Sequence, residues 1–178
     1  MTDPELIARV VVSDDHSAFG ELVRRHQSTV RHFLRQLAQG DAALADDLAQ
    51  ETFVQAYRGL ARFQGHSRFS TWLLGIAHNH WRNARRRRQP VPVEPEHLAA
   101  LEPVPSPAPL SDLKHDLAQA LGALGADERI ALHLHYQQGL SHPEIADVLA
   151  CPLGTVKTNL NRGKEKLRPL LASWNPQT

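Results

Sequence analysis

The chain has 178 residues, with 20 Lys plus Arg against 19 Asp plus Glu and a single cysteine, Cys151. That length holds one ordinary domain or two small ones, and one cysteine excludes an intramolecular disulfide or a cysteine-rich zinc site. No apolar run approaches the roughly 18 residues that span a bilayer, and the start MTDPELIARV is acidic with no signal-peptide core, so the expectation is a soluble cytoplasmic protein without membrane insertion. The small net charge hides a segregation. Residues 1–89 carry 13 basic against 9 acidic side chains, residues 90–116 carry 1 against 5, and residues 117–178 carry 6 against 5.

From Pro4 to Leu37 apolar residues recur three or four apart, which predicts helix. Ser13, Asp14 and Asp15 interrupt the pattern, giving a short helix and then a longer one from about Ser17 to Gln39. Gly40 is the expected stop and Asp41 the expected restart. The helix from Asp41 to about Leu60 turns Leu44, Ala45, Leu48, Ala49, Thr52, Phe53, Ala56 and Tyr57 inward. Asp46, Asp47, Gln50, Glu51 and Gln55 are left outside.

The stretch Phe63 to Arg88, FQGHSRFSTWLLGIAHNHWRNARRRR, predicts a helix with Ser67 as its N-cap and Phe69, Trp72, Leu73, Ile76, Ala77 and His80 on the packed side. Arg68, Thr71, Asn79, Arg82 and Arg86 are expected on the other side. Flat rings among Arg and Asn suit unpaired bases as well as phosphates. Taken alone, the same stretch reads equally well as a core helix with a solvated basic end. These helices predict a bundle of about 85 residues, near the lower end of what folds alone.

Seven of the twelve prolines fall between Gln89 and Ser111, among Glu94, Glu96 and Glu102. Such a linker favours extended backbone at about 3.1 Å per residue, so some 20 residues bridge roughly 60 Å, or about 18 base pairs of duplex. Beyond it, Leu113, Leu117, Ala120, Leu121 and Leu124 mark a helix, and Ile130, Leu134 and Tyr136 mark another ending at Gly139. In GLSHPEIADVLACPLGTVKTNLNRGKEKLR, Ser141 and Glu144 form a capping box, Ala150 and Cys151 form a turn, and Pro152 suits the first position of the next helix. Two short helices across a tight turn predict a helix-turn-helix. Thr155, Lys157, Thr158, Asn161 and Arg162 on its second helix suit phosphates and major-groove base edges.

In this order and spacing, DDLAQETFVQAYRGLARF, SRFSTWLLGIAHN with its arginine tail, the Pro-rich linker and the helix-turn-helix closely resemble the bacterial extracytoplasmic-function (ECF) sigma factors of the sigma-70 family. The resemblance covers roughly residues 15 to 171. It implies an all-α fold of two small helical domains: residues 1–89 for polymerase docking and for reading and opening the minus-10 element, a flexible acidic linker at 90–111, and residues 112–178 for the minus-35 element. By position, it implies polymerase contacts at Asp46, Asp47, Leu48, Gln50, Glu51 and Phe53. It implies minus-10 contacts at His66, Ser67, Arg68, Thr71, Trp72, Asn79, Arg82, Arg85 and Arg86, and minus-35 contacts at Ser141, Thr155, Lys157, Thr158, Asn161 and Arg162. The implied partners are core RNA polymerase, promoter DNA and an anti-sigma factor, for a chain that is monomeric when free of them. Leu124 with Gly125, Asn83, and Lys157-Thr158-Asn159 depart from common family residues, so no promoter consensus carries over.

Rival readings find less in the sequence. No nucleophile, acid–base pair, metal set or phosphate loop stands at a recognisable spacing, so neither enzyme activity nor a cofactor is expected. His78 with His80 and His133 with His135 sit two apart, which points them to different helix faces and away from a shared metal. A polymerase-independent helix-turn-helix regulator remains the alternative, but it has no use for an acidic docking helix.

Overall fold

The computed structural model describes residues 1–38, 41–88 and 122–172. Four helices form the first group: α1 (Asp3–Ser13), α2 (His16–Leu37), α3 (Ala42–Gly59) and α4 (Phe69–Arg88), with a 3-10 turn Leu60–Arg62 between the last two. Their starts follow from side chains able to satisfy free backbone donors. Asp15 accepts from the Ala18 N–H at 3.0 Å and Asp41 from the Leu44 N–H at 2.9 Å. The bundle closes on Leu22, Val30, Phe33 and Leu34 of α2, Ala45, Leu48 and Ala56 of α3, and Leu73, Leu74 and Ala77 of α4, all essentially removed from water. A fully buried side chain of leucine or phenylalanine size contributes about 1.5–3 kcal/mol.

The second group holds α5 (Ala126–Leu132), which runs into a π-helical turn at His133–Gln137, then α6 (His142–Leu149) and α7 (Leu153–Ala172). Ile130, Ala131, Leu134, Ile145, Val148, Val156 and Leu160 form its core. The capping box is present, with the Ser141 N–H donating to Glu144 Oε2 at 2.9 Å. Ala150 takes a left-handed conformation at φ +50° to make the turn of the helix-turn-helix. α7 lies so close to α5 that a Cβ on Gly163 would sit 2.7 Å from Leu132 Cδ1. Glu128 ties the same two helices: burial raises its pKa, but the Lys166 ammonium at 2.8 Å and the Gly125 N–H outweigh that and hold it below the usual carboxylate value.

The two groups touch along two seams, α4 against α6, and α2 against α5 and, through His133, its π turn. This alters the expected faces of α4. Thr71 is only 3% exposed and His78 7%, because α6 covers the side of the helix assigned to solvent. The helix also starts one residue late, with the Arg68 carbonyl accepting the first helical bond from Trp72, while Ser67 Oγ donates to the Arg68 carbonyl instead of capping. Pro152 likewise stands before α7, its carbonyl accepting from Thr155 and Val156. Tyr136, expected inside, is 62% exposed. A π turn carries an extra residue and so shifts the phase of the side chains after it. The expectations at Gly40, the linker and the helix at Leu113–Leu121 lie outside the described residues.

Candidate nucleic-acid and protein interfaces

On α3, Asp47, Gln50 and Glu51 are exposed, with Val54 51% exposed on the same side one turn on. Together they make an acidic strip with an apolar end, and Val54 escapes a search by charge pattern. Asp46 differs, since its Oδ1 lies 3.6 Å from both Arg31 Nε and Arg35 Nη2 of α2. Glu51 Oε2 stands 3.3 Å from His80 Nδ1. Leu48 is 4% exposed and Phe53 packs half-buried against the core, so these two set the helix rather than offer a free surface.

The minus-10 candidates split in the same way. His66, Arg68, Asn79, Arg85 and Arg86 are exposed. His66 Nε2 bonds Gln64 Oε1 at 3.0 Å, and Arg82 Nη2 donates to Asn79 Oδ1 at 3.2 Å. Trp72 packs among Phe63 (5.1 Å) and Phe69 (5.7 Å), with its ring edge against Gly59. It therefore packs Phe63, two residues ahead of the Gly65 turn where φ is +71°, against the helix start. Trp81, half-buried on α4, carries the Arg85 guanidinium over its ring at 5.5 Å. The i, i+4 spacing of Trp81 and Arg85 is a signal the sequence offers for that stack.

On α7, Lys157, Thr158, Asn161 and Arg162 are exposed together on the outer face, and Thr155, also exposed, stands at its edge where α7 faces α4. Thr158 Oγ1 donates back to the Gly154 carbonyl at 2.9 Å, and Ser141 Oγ donates to Glu144 Oε2 at 2.7 Å. Both hydroxyls thus hold local structure. Lys157 and Arg162 remain the long cations of this face.

Between the two groups lies a cleft of about 340 Å³. Its α4 wall is His78, Trp81, Arg82, Arg85 and Arg86, and its opposite wall is Asp127, Ile130, Leu149, Cys151, Thr155 and Asn159. Arg82 Nε and His78 Nδ1 are buried there without a hydrogen-bond partner. Burial, then the Arg82 charge, push the His78 ring below its ordinary pKa, with Asp127 and the Val148 backbone opposing. Burial raises the Cys151 thiol, the reverse of what a reactive thiolate needs.

The geometry is that of two cationic helical faces, each able to meet a polyanion, and a separate acidic strip able to meet a protein. Residues 22–91 match the Sigma-70 region 2 family and residues 114–167 the Sigma-70, region 4 family. The chain is 35% identical to the ECF RNA polymerase sigma-E factor of Escherichia coli K12 over 96% of this chain and 97% of that one. It is 38% identical to the RNA polymerase sigma-H factor of Pseudomonas aeruginosa over 95% of each. Among solved structures it is similar to CnrH in complex with the cytosolic domain of CnrY (TM-score 0.65, 28% identity, 96% of this chain and 97% of that one). It is also similar to the sigma factor RpoE in complex with the anti-sigma factor NepR from Bartonella quintana (TM-score 0.63, 26% identity, 86% and 96%). The chain belongs to the ECF sigma factors of the sigma-70 family, which direct promoter-specific initiation of transcription by RNA polymerase.

Proposed function

We propose that three surfaces divide this work. The α3 strip at Asp47, Gln50, Glu51 and Val54 docks on core polymerase, Asp46 being held by α2. The loop before α4 and the exposed part of that helix, from His66 to Arg86, capture the melted minus-10 strand, with Arg85 on Trp81 as a ready stacking platform. The outer face of α7 enters the major groove at minus-35, and the acidic linker spans the distance between the two sites. The observation that carries this reading is the pairing, in one chain, of an exposed helix-turn-helix face with a second basic and aromatic helix. A repressor needs only the first. The likeness to structures titled as complexes with an anti-sigma factor or a cytosolic domain supports control by a protein that covers these same surfaces. No helix among the described residues is long and apolar enough to cross a membrane, which supports a cytoplasmic place of action. Nothing in the division calls for bond chemistry by this chain.

Purified chain added to core polymerase and a promoter library is expected to yield start-site-specific transcripts; a library transcribed no differently from core alone refutes the reading. Within it, replacing Lys157 and Arg162 by Ala should lower affinity for upstream duplex and cut the slope of log K against log salt by about 1.8, since each phosphate contact is worth about 0.9. Fluorescence anisotropy at four salt concentrations measures this. An unchanged slope would take both side chains off the phosphates.

A further inference from the structure

A two-site reader has to hold its sites well apart, yet here α6 of the helix-turn-helix packs on α4 and covers Thr71 and His78. The DNA consequence rests on the function proposed above; the contact itself does not. What joins the groups is unusual in chemistry. At one seam His133 of the π turn, 7% exposed, lies 5.2 Å from the ring of His32 on α2 and stacks on the fully buried Phe33 at 6.2 Å and 25°. At the other, His78 is sealed in the cleft with its Nδ1 unpartnered. The groups facing His133 are His32 across the seam and Gln137 and Gln138 in its own turn. Those facing His78 are Arg82 of α4, Asp127 of α5 and the Val148 backbone of α6. We propose that His133 against His32, with His78 as the second point, forms an acid-labile clasp that holds the two DNA-reading domains closed and releases them when protonated.

A proton on His133 would be buried against another imidazole, with only glutamine side chains beside it. The separated domains would return the ring to water. Burial, then His32, lower the His133 pKa from 6.5 to about 4 in the closed arrangement, and the sign comes from that direction. Above pH 6.5 the ring is neutral whether open or closed, and closure is fully favoured. As pH falls from 6.5 towards 4, only the open form takes up the proton, so opening gains about tenfold by pH 5.5 from His133 alone. His78, also lowered, acts in the same direction.

Small-angle X-ray scattering of the full chain between pH 7.5 and 5.0, without DNA or polymerase, reads the closed and open fractions, so its failure is separable from failure in transcription. Wild type is expected to expand as pH falls, with far-UV ellipticity intact. His133→Phe, which keeps a ring on Phe33, should lose about tenfold of the response at pH 5.5. His32→Arg, at an exposed helix position and so little risk to folding, should open the chain at pH 7.5. A wild type that stays compact to pH 5.0, a His133→Phe response equal to wild type, a compact His32→Arg, or expansion that tracks loss of ellipticity would each overturn the clasp.

Discussion

Reversing both charges in Asp47→Lys, Glu51→Lys is expected to weaken binding to core RNA polymerase by about 100-fold or more, because like charges set against a complementary surface cost several kcal/mol. Affinity for upstream duplex should stay within about twofold. The selectivity follows from placement, since both carboxylates are exposed while Leu48, Ala49 and Thr52 of the same helix fill the core. Losing the exposed Glu51–His80 pair costs little, as surface pairs do. Asp46 is the contrasting case. Between Arg31 and Arg35 it fastens α3 to α2, so reversing it disturbs the bundle as well as any partner. Surface-immobilised core and a labelled duplex give the two affinities side by side. Unchanged core binding removes the docking assignment, and a parallel fall in DNA binding would mean damage to the fold.

The helices whose signals are local were legible. Asp41 and the Ser141–Glu144 box cap the elements they announce, Asp15, read only as a break, caps the helix after it, and the core side chains of α2 and α3 follow their spacing. These features depend on neighbours within one turn, which a sequence displays directly. Thr71, expected on the polar side, fails for the opposite reason, and His78, given no side, is buried with it. Their burial comes from α6, some 70 residues away in sequence, and an amphipathic pattern records that a face is polar without recording what lies on it. Polar side chains under a second domain look like polar side chains in water.

The π turn shows a second limit. Ile130 and Leu134 fit a continuous helix, and the extension of that helix places Tyr136 inside. One added residue turns Tyr136 out, where Lys164 stands 5.7 Å from its ring, and His133 in. Nothing in HLHYQ marks the change. For the functional faces, residue type was a good guide to chemistry and a poor one to availability. Arg85, Arg86, Lys157 and Arg162 are exposed, whereas Ser141 and Thr158 spend their hydroxyls on their own helices.

Phe33 joins core and seam, and Phe33→Ala should therefore cost about 3–5 kcal/mol, as large-to-small changes at fully buried aromatics do. The first helical group spans fewer than 90 residues, and ordinary stability of about 0.05–0.15 kcal/mol per residue gives it roughly 4–13 kcal/mol. One substitution thus removes a large share. The ring is 0% exposed in the bundle of α2, α3 and α4, with His133 stacked on its outer side. Urea unfolding followed by circular dichroism should show the midpoint drop at unchanged slope, and promoter-specific transcription should fall with temperature well before wild type loses it. Phe33→Leu separates the two duties of the ring. It keeps most of the buried volume, so it should cost under about 1.5 kcal/mol, yet it removes the stack on His133 and should leave the closed form less populated at neutral pH. A Phe33→Ala loss below about 1.5 kcal/mol would show that the bundle does not close on this residue. A Phe33→Leu chain as compact as wild type would show that the core holds Phe33 and that its stack on His133 adds nothing to closure.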